Sequence, residues 1–78
     1  SIFRNPEEIP AWKLIEGAGF RGKRIGDAVV SEKHVNFIVN ENHASAKDFI
    51  TLVTDVQKAV KDKYDIDLYM EVEKFNWR

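Results

Sequence analysis

The spacing of apolar positions changes several times along the chain, and each change marks an element. Ser1 to Asn5 reads as extended, because Pro6 disfavours helical geometry for the residue before it. Pro10 stands where the first turn of a helix tolerates proline. Ala11, Trp12, Leu14, Ile15 and Ala18 then predict a short amphipathic helix, closed by Gly17 or Gly19 in a left-handed cap. Phe20 to Lys23 is a connection, and its Gly22 permits unusual backbone angles. Arg24 to Val30 and Val35 to Val39 read as two strands, with Gly26 a bulge or a point of close approach in the first. Between them, Ser31, Glu32, Lys33 and His34 form a connection short enough for a hairpin loop. It lacks the Gly, Asn and Pro that favour tight turns.

The clearest periodicity follows the connection Glu41 to Ala44. Phe49, Leu52, Val53, Val56, Val60 and Tyr64 recur at steps of three and four, the buried stripe of a helix over 46–63. Ser45 with Asp48 has the form of a capping box, with Asp in place of the usual Glu. Lys58, Lys61 and Lys63 near the far end suit the helix dipole. From Asp67 to Phe75 the period falls to two. Leu68, Met70 and Val72 share the face expected to meet the core, and Tyr69, Glu71, Glu73 and Phe75 share the other. The order is extended segment, helix, strand, strand, helix, strand. The simplest fold class is α+β, a small antiparallel sheet with helices packed on one face.

Composition narrows the possible functions. The chain has 78 residues, enough for one domain with a modest core. With 44% hydrophobic and 32% charged residues it is globular rather than disordered. Twelve basic and 13 acidic residues leave a net charge of −1, with no basic excess to draw nucleic acid or an anionic membrane. No apolar run approaches the ~20 residues of a membrane span, and no signal-peptide pattern opens the chain. The absence of cysteine excludes a disulfide framework or a thiolate zinc site and fits a cytoplasmic protein. The abrupt apolar start at Ser1-Ile2-Phe3, without an initiator Met, points to a domain of a longer polypeptide.

Four kinds of chemistry can be weighed on residue types alone. His34 and His43, with Glu32 or Glu41 nearby, are metal donors without a familiar ligand spacing, so surface histidines are the expectation. Ser31 and His34 lie close in sequence, but that spacing does not make a nucleophilic triad. Gly17, Gly19 and Gly22 beside Arg21, Lys23 and Arg24 match neither a P-loop nor a dinucleotide fingerprint. A helix stop and a bend explain them, with an anion contact the remaining option. Last, Ser1 and Asn5 share one side of the first segment, as Tyr69 and Glu71 share one side of the last strand. A hydroxyl, an amide and a carboxylate meeting at one edge could hydrogen-bond an anionic intermediate and deliver a proton to it. The mixed aromatic and acidic face with Tyr69 and Phe75 could instead meet a protein partner.

Three segments, SIFRNP, LIEGAGFRGKRIGDAVVSEKHVNFIVN and LYMEVEKF, resemble in this order the C-terminal domain of the UDP-N-acetylenolpyruvoylglucosamine reductases, the MurB family. The family pattern runs GS-[apolar]-F-[KR]-NP, then LIE-x-AGL-x-G-x-R-[IV]-G-x-A-x-VSEKHANFIVN, then L-x-x-EV. Asp27, Val29 and Val35 depart from it, away from the reacting groups. The resemblance covers almost the whole chain. It implies a substrate-binding domain whose flavin-binding domains lie N-terminal to it and are absent from this chain. In the family, NADPH reduces bound FAD, and the flavin passes hydride to UDP-N-acetylglucosamine enolpyruvate. Protonation then gives UDP-N-acetylmuramate, a cytoplasmic precursor of peptidoglycan. By the same resemblance, Ser1 is the general acid and Glu71 helps stabilise the enol-type intermediate. A carboxylate beside an anion repels it, so Glu71 would need a proton or a hydrogen-bonding partner. Asn5 is implied to bind substrate, and Lys33, His34 and Asn36 to line the substrate cleft or the domain interface. The isolated chain is expected to be inactive. The alternative is a stand-alone protein-interaction module of the same fold.

Overall fold

The computed structural model describes residues 1–71. Helix α1 (Ala11–Gly17) follows Pro10, and the Asn5 side-chain oxygen accepts the Ala11 N–H at 2.9 Å. That bond satisfies one of the orphan donors at the helix start. At the other end Gly19 adopts φ 86°. Its N–H bonds the Glu16 carbonyl at 2.9 Å, and the Phe20 N–H bonds the Ile15 carbonyl at 3.1 Å. This paired pattern is a Schellman cap, so of the two expected glycines it is Gly19 that ends the helix. Gly17 has another use. A side chain there would collide with the Tyr64 hydroxyl, so its lack of one lets the two helices meet closely.

The sheet has three antiparallel strands in sequence order: β1 (Arg24–Ile25), β2 (Ala28–Val30) and β3 (Ile38–Asn40). Two sequence expectations are corrected here. The stretch 24–30 is a hairpin, not one strand, because Ile25 pairs with Ala28 across a two-residue loop of Gly26 and Asp27. Gly26 has φ 57° at the first loop position, where such a hairpin turn asks for positive φ. A Cβ there would also strike the Asp48 carboxylate, so the expected close approach is real while the bulge is not. The second correction concerns 35–39. Val35 to Phe37 belong to the connection, and β3 starts only at Ile38. The reason lies in partners. Ser31 Oγ accepts the N–H groups of Lys33 and His34 at 3.2 and 3.0 Å, which turns the chain, and Asn36 bonds the N-terminal segment instead of β2.

Helix α2 (Ala46–Tyr64) matches its predicted span within a residue. The Asp48 N–H donates to Ser45 Oγ at 3.0 Å and the Ser45 N–H donates to Asp48 Oδ2 at 3.3 Å, so the capping box forms as expected. Ser45→Ala should therefore cost about 0.5–2 kcal/mol, read as a lowered urea midpoint at unchanged slope. Asp65 closes the helix in the left-handed region at φ 58°. Near that end the exposed Lys61 ammonium lies 3.2 Å from Asp65 and 3.5 Å from Asp67. Its hydrogen bond and charge interaction with Asp65, then Asp67, hold it above the usual lysine pKa.

Phe49, Leu52, Val53, Val56 and Val60 of α2 are buried and form the centre of the core. The helix packs on β1 and β2, and α1 packs on α2. Ala11, Leu14 and Ile15 supply the buried side of α1, whereas Trp12, expected on that side, is 44% exposed. Of the expected last strand, Leu68 is buried and Met70 packs against the core. The pairing seen is a single antiparallel bridge between Phe3 and Met70. Residues 72–75 of that expected strand, with Val72, Glu73 and Phe75, lie outside the described residues.

Candidate functional site

The site begins where the first and last described segments meet. The Arg4 N–H bonds the Tyr69 carbonyl at 2.8 Å, and the Glu71 N–H bonds the Ile2 carbonyl at 2.9 Å. These two bonds flank the Phe3–Met70 bridge and fix its register. Their consequence is a meeting of residues 70 positions apart: the Ser1 hydroxyl donates to Glu71 Oε1 at 3.3 Å. The hydroxyl and carboxylate singled out in the sequence are therefore neighbours. Tyr69, the aromatic beside them, is 57% exposed and has the Arg4 guanidinium 5.5 Å from its ring centre.

Phe3 uses its other edge differently. Its N–H donates to Asn36 Oδ1 at 3.0 Å, and its carbonyl accepts from Asn36 Nδ2 at 2.9 Å. The Asn36 backbone carbonyl accepts the Ile2 N–H at 2.8 Å. One residue of the connection thus holds Ile2 and Phe3 through three hydrogen bonds. Asn5 is turned to a structural partner too, since its side-chain oxygen serves Ala11.

Beyond Asn36 lies an open groove of about 340 Å³, lined by Trp12, Arg21, Lys33, His34, Val35, Asn36 and Phe37. Lys33, His34 and Asn36, expected at the substrate cleft or the domain interface, are among its lining residues. Asn36, in the groove wall, also bonds Ile2 and Phe3 of the segment that carries Ser1, whereas Ser1 and Glu71 themselves do not line the groove. Its walls mix charge and ring faces. Phe37 is 46% exposed, and the His34 ring meets it edge-on at 5.8 Å between centres. Arg21 is held in place by Glu16 Oε1 at 2.7 Å and also donates to the Glu32 carbonyl. Among the described residues no three metal-ligating side chains converge. No described helix is long and apolar enough to cross a membrane.

The family described as UDP-N-acetylenolpyruvoylglucosamine reductase, C-terminal domain, matches residues 1–75. The chain belongs to this family. The UDP-N-acetylenolpyruvoylglucosamine reductase of Carboxydothermus hydrogenoformans is 53% identical over 73 residues, 94% of this chain. Those of Bacillus licheniformis and Bacillus subtilis are 55% and 52% identical over the same share. The chain spans 24% of the length of each of these relatives.

Within this reductase domain, four groove residues escaped the sequence reading: Trp12, Val35, Phe37 and, in part, Arg21. Trp12 carried a signal, because it is out of step with the buried positions 11, 14 and 15. Phe37 gave none, since an apolar residue beside Ile38 and Val39 reads as strand core. Arg21 stood in the glycine-flanked basic cluster considered for an anion, and the groove is where that option survives.

Proposed function

We propose that this chain is the substrate-binding domain of a cytoplasmic, NADPH- and FAD-dependent UDP-N-acetylmuramate dehydrogenase. Its substrate is UDP-N-acetylglucosamine enolpyruvate, and its reaction belongs to peptidoglycan precursor synthesis. The observation that carries this reading is the Ser1–Glu71 hydrogen bond, linked through Asn36 and Ile2 to a groove walled by cations and aromatic rings. No glycine lines the groove, so it offers no backbone cradle for the phosphates of a dinucleotide. Flavin and NADPH are assigned to N-terminal domains of the parent polypeptide.

The chain's own residues bind substrate and manage one proton. Arg21 and Lys33 supply positive charge for the diphosphate, and Trp12 and Phe37 offer ring faces to the base. His34 and the free amide nitrogen of Asn5 supply polar contacts. Once the enolpyruvyl group is reduced, negative charge lies on the carbon next to its carboxylate. The Ser1 O–H gives its proton to that carbon. An alkoxide left at Ser1 would be costly, and Glu71 answers that cost. In the structure the Ser1 hydroxyl donates to Glu71 Oε1; for delivery the hydroxyl turns to the carbon, and a protonated Glu71 donates to Ser1 Oγ to replace the proton that leaves. The serine hydroxyl is restored and the negative charge passes from the carbon to the Glu71 carboxylate.

The test is the visible spectrum of the native polypeptide containing this segment, purified without added cofactor. A flavin band bleached by NADPH and restored by the enolpyruvyl substrate is the expected result. A protein without flavin, or a reduced flavin that this substrate does not reoxidise, overturns the proposal.

A further inference from the structure

We infer that Asn36 is a positioning residue for the proton donor and not a ligand of the substrate; the inference rests on the reading of Ser1 as the acid. The Phe3–Met70 bridge leaves the Phe3 N–H and carbonyl pointing away from the last strand, because the bonds of that pair run through Arg4 and Ile2 instead. Phe3 is buried, so these two groups need partners where water does not reach. The Asn36 amide supplies both, its oxygen facing the N–H at 3.0 Å and its nitrogen facing the carbonyl at 2.9 Å. Turned the other way, the amide would set donor against donor and acceptor against acceptor. Its orientation is therefore dictated, with the oxygen and one N–H engaged on the Phe3 side.

The third bond reaches nearer the chemistry. The Ile2 N–H that Asn36 accepts at 2.8 Å belongs to the peptide joining Ser1 to Ile2. The same Ile2 accepts the Glu71 N–H through its carbonyl. The Asn36 backbone thus anchors the peptide of the donor, and the side-chain bonds to Phe3, which a substitution removes, hold that backbone against the segment. Ser1 lies at an exposed edge with one long side-chain bond to Glu71, so these backbone anchors set where its hydroxyl points. Asn36 also stands in the groove wall. Filling the groove bears on the residue that holds the acid, so binding and proton delivery meet at Asn36.

The experiment uses the full-length flavoenzyme and a double-mutant cycle of Ser1→Ala and Asn36→Ala. Asn36→Ala should slow reoxidation of reduced flavin by the enolpyruvyl substrate about 10²-fold, the scale of a donor misplaced by an ångström. Flavin reduction by NADPH should stay at the parent rate, and the half-saturating substrate concentration should change far less than the reoxidation rate. The double variant should be no slower than Ser1→Ala alone, because a misplaced donor cannot matter once the donor is gone. Multiplying effects, or a raised half-saturation with the rate kept, overturn the inference and make Asn36 a ligand. Should Asn36→Ala fail to fold, Asn36→Asp keeps the acceptor for the Phe3 N–H and loses the donor to its carbonyl. It should slow the same step, and a parent-like rate in it overturns the inference. If Ser1→Ala itself reoxidises at the parent rate, the reading of Ser1 as the acid has failed, whatever Asn36 does.

Discussion

Ser1→Ala in the full-length enzyme should lower the rate of product formation by about 10²–10⁴-fold, the usual worth of a positioned general acid. The flavin should still be bleached by NADPH at the parent rate, because the proposed role gives this hydroxyl no part in that half of the cycle. Stopped-flow absorbance separates the two halves. Glu71→Gln gives a sharper comparison. Gln keeps a donor that can face Ser1 Oγ but has no proton to give up. Its rate should fall less than that of Ser1→Ala if Glu71 mainly holds the hydroxyl in place. It should fall to the same level if Glu71 resupplies the proton. Equal product formation by Ser1→Ala and parent enzyme would remove Ser1 from the chemistry.

The pairing behind this prediction was only partly legible in the sequence. The alternation of Leu68, Tyr69 and Met70 put Glu71 on a rim, and Pro6 marked the first segment as extended. Nothing in the spacing says that Phe3 pairs with Met70, which is the fact that brings Ser1 to Glu71. Here the family motifs supplied what local pattern could not. The long helix was legible because two independent signals agreed, a three-four apolar period and a reciprocal cap. The hairpin at Gly26 and Asp27 was missed because Ile25, Ala28, Val29 and Val30 look like one apolar run. A single glycine in such a run gives no sign that the chain reverses. The stretch 35–39 misled for another reason. Val35 is buried by the core and not by a sheet, and Asn36 spends its hydrogen bonds on the N-terminal segment. Polar residues of the SEKH stretch were ambiguous between turn and site. The structure lets Ser31 make the turn while Lys33 and His34 line the groove.

The same core that was easiest to read carries the largest stability effect. Leu52 is fully buried on α2, amid Phe49, Val53, Val56 and Val60. Leu52→Ala should destabilise the domain by about 2–5 kcal/mol, the lost transfer energy plus the cavity left behind. A domain of this size is stable by roughly 4–12 kcal/mol in total, at about 0.05–0.15 kcal/mol per residue. The substitution therefore removes a large fraction of the whole. Urea unfolding of the isolated domain, followed by tryptophan fluorescence, should show a midpoint far below that of the parent. The effect should reach the site as well, because α2 holds the last segment directly: Gln57 Nε2 on that helix donates to the Leu68 carbonyl at 2.9 Å. Loosening α2 loosens the strand that presents Glu71 to Ser1. Loss of stability with full catalytic rate at low temperature would separate the core from the site. A stability unchanged within about 0.5 kcal/mol would mean that Leu52 is not packed in the core.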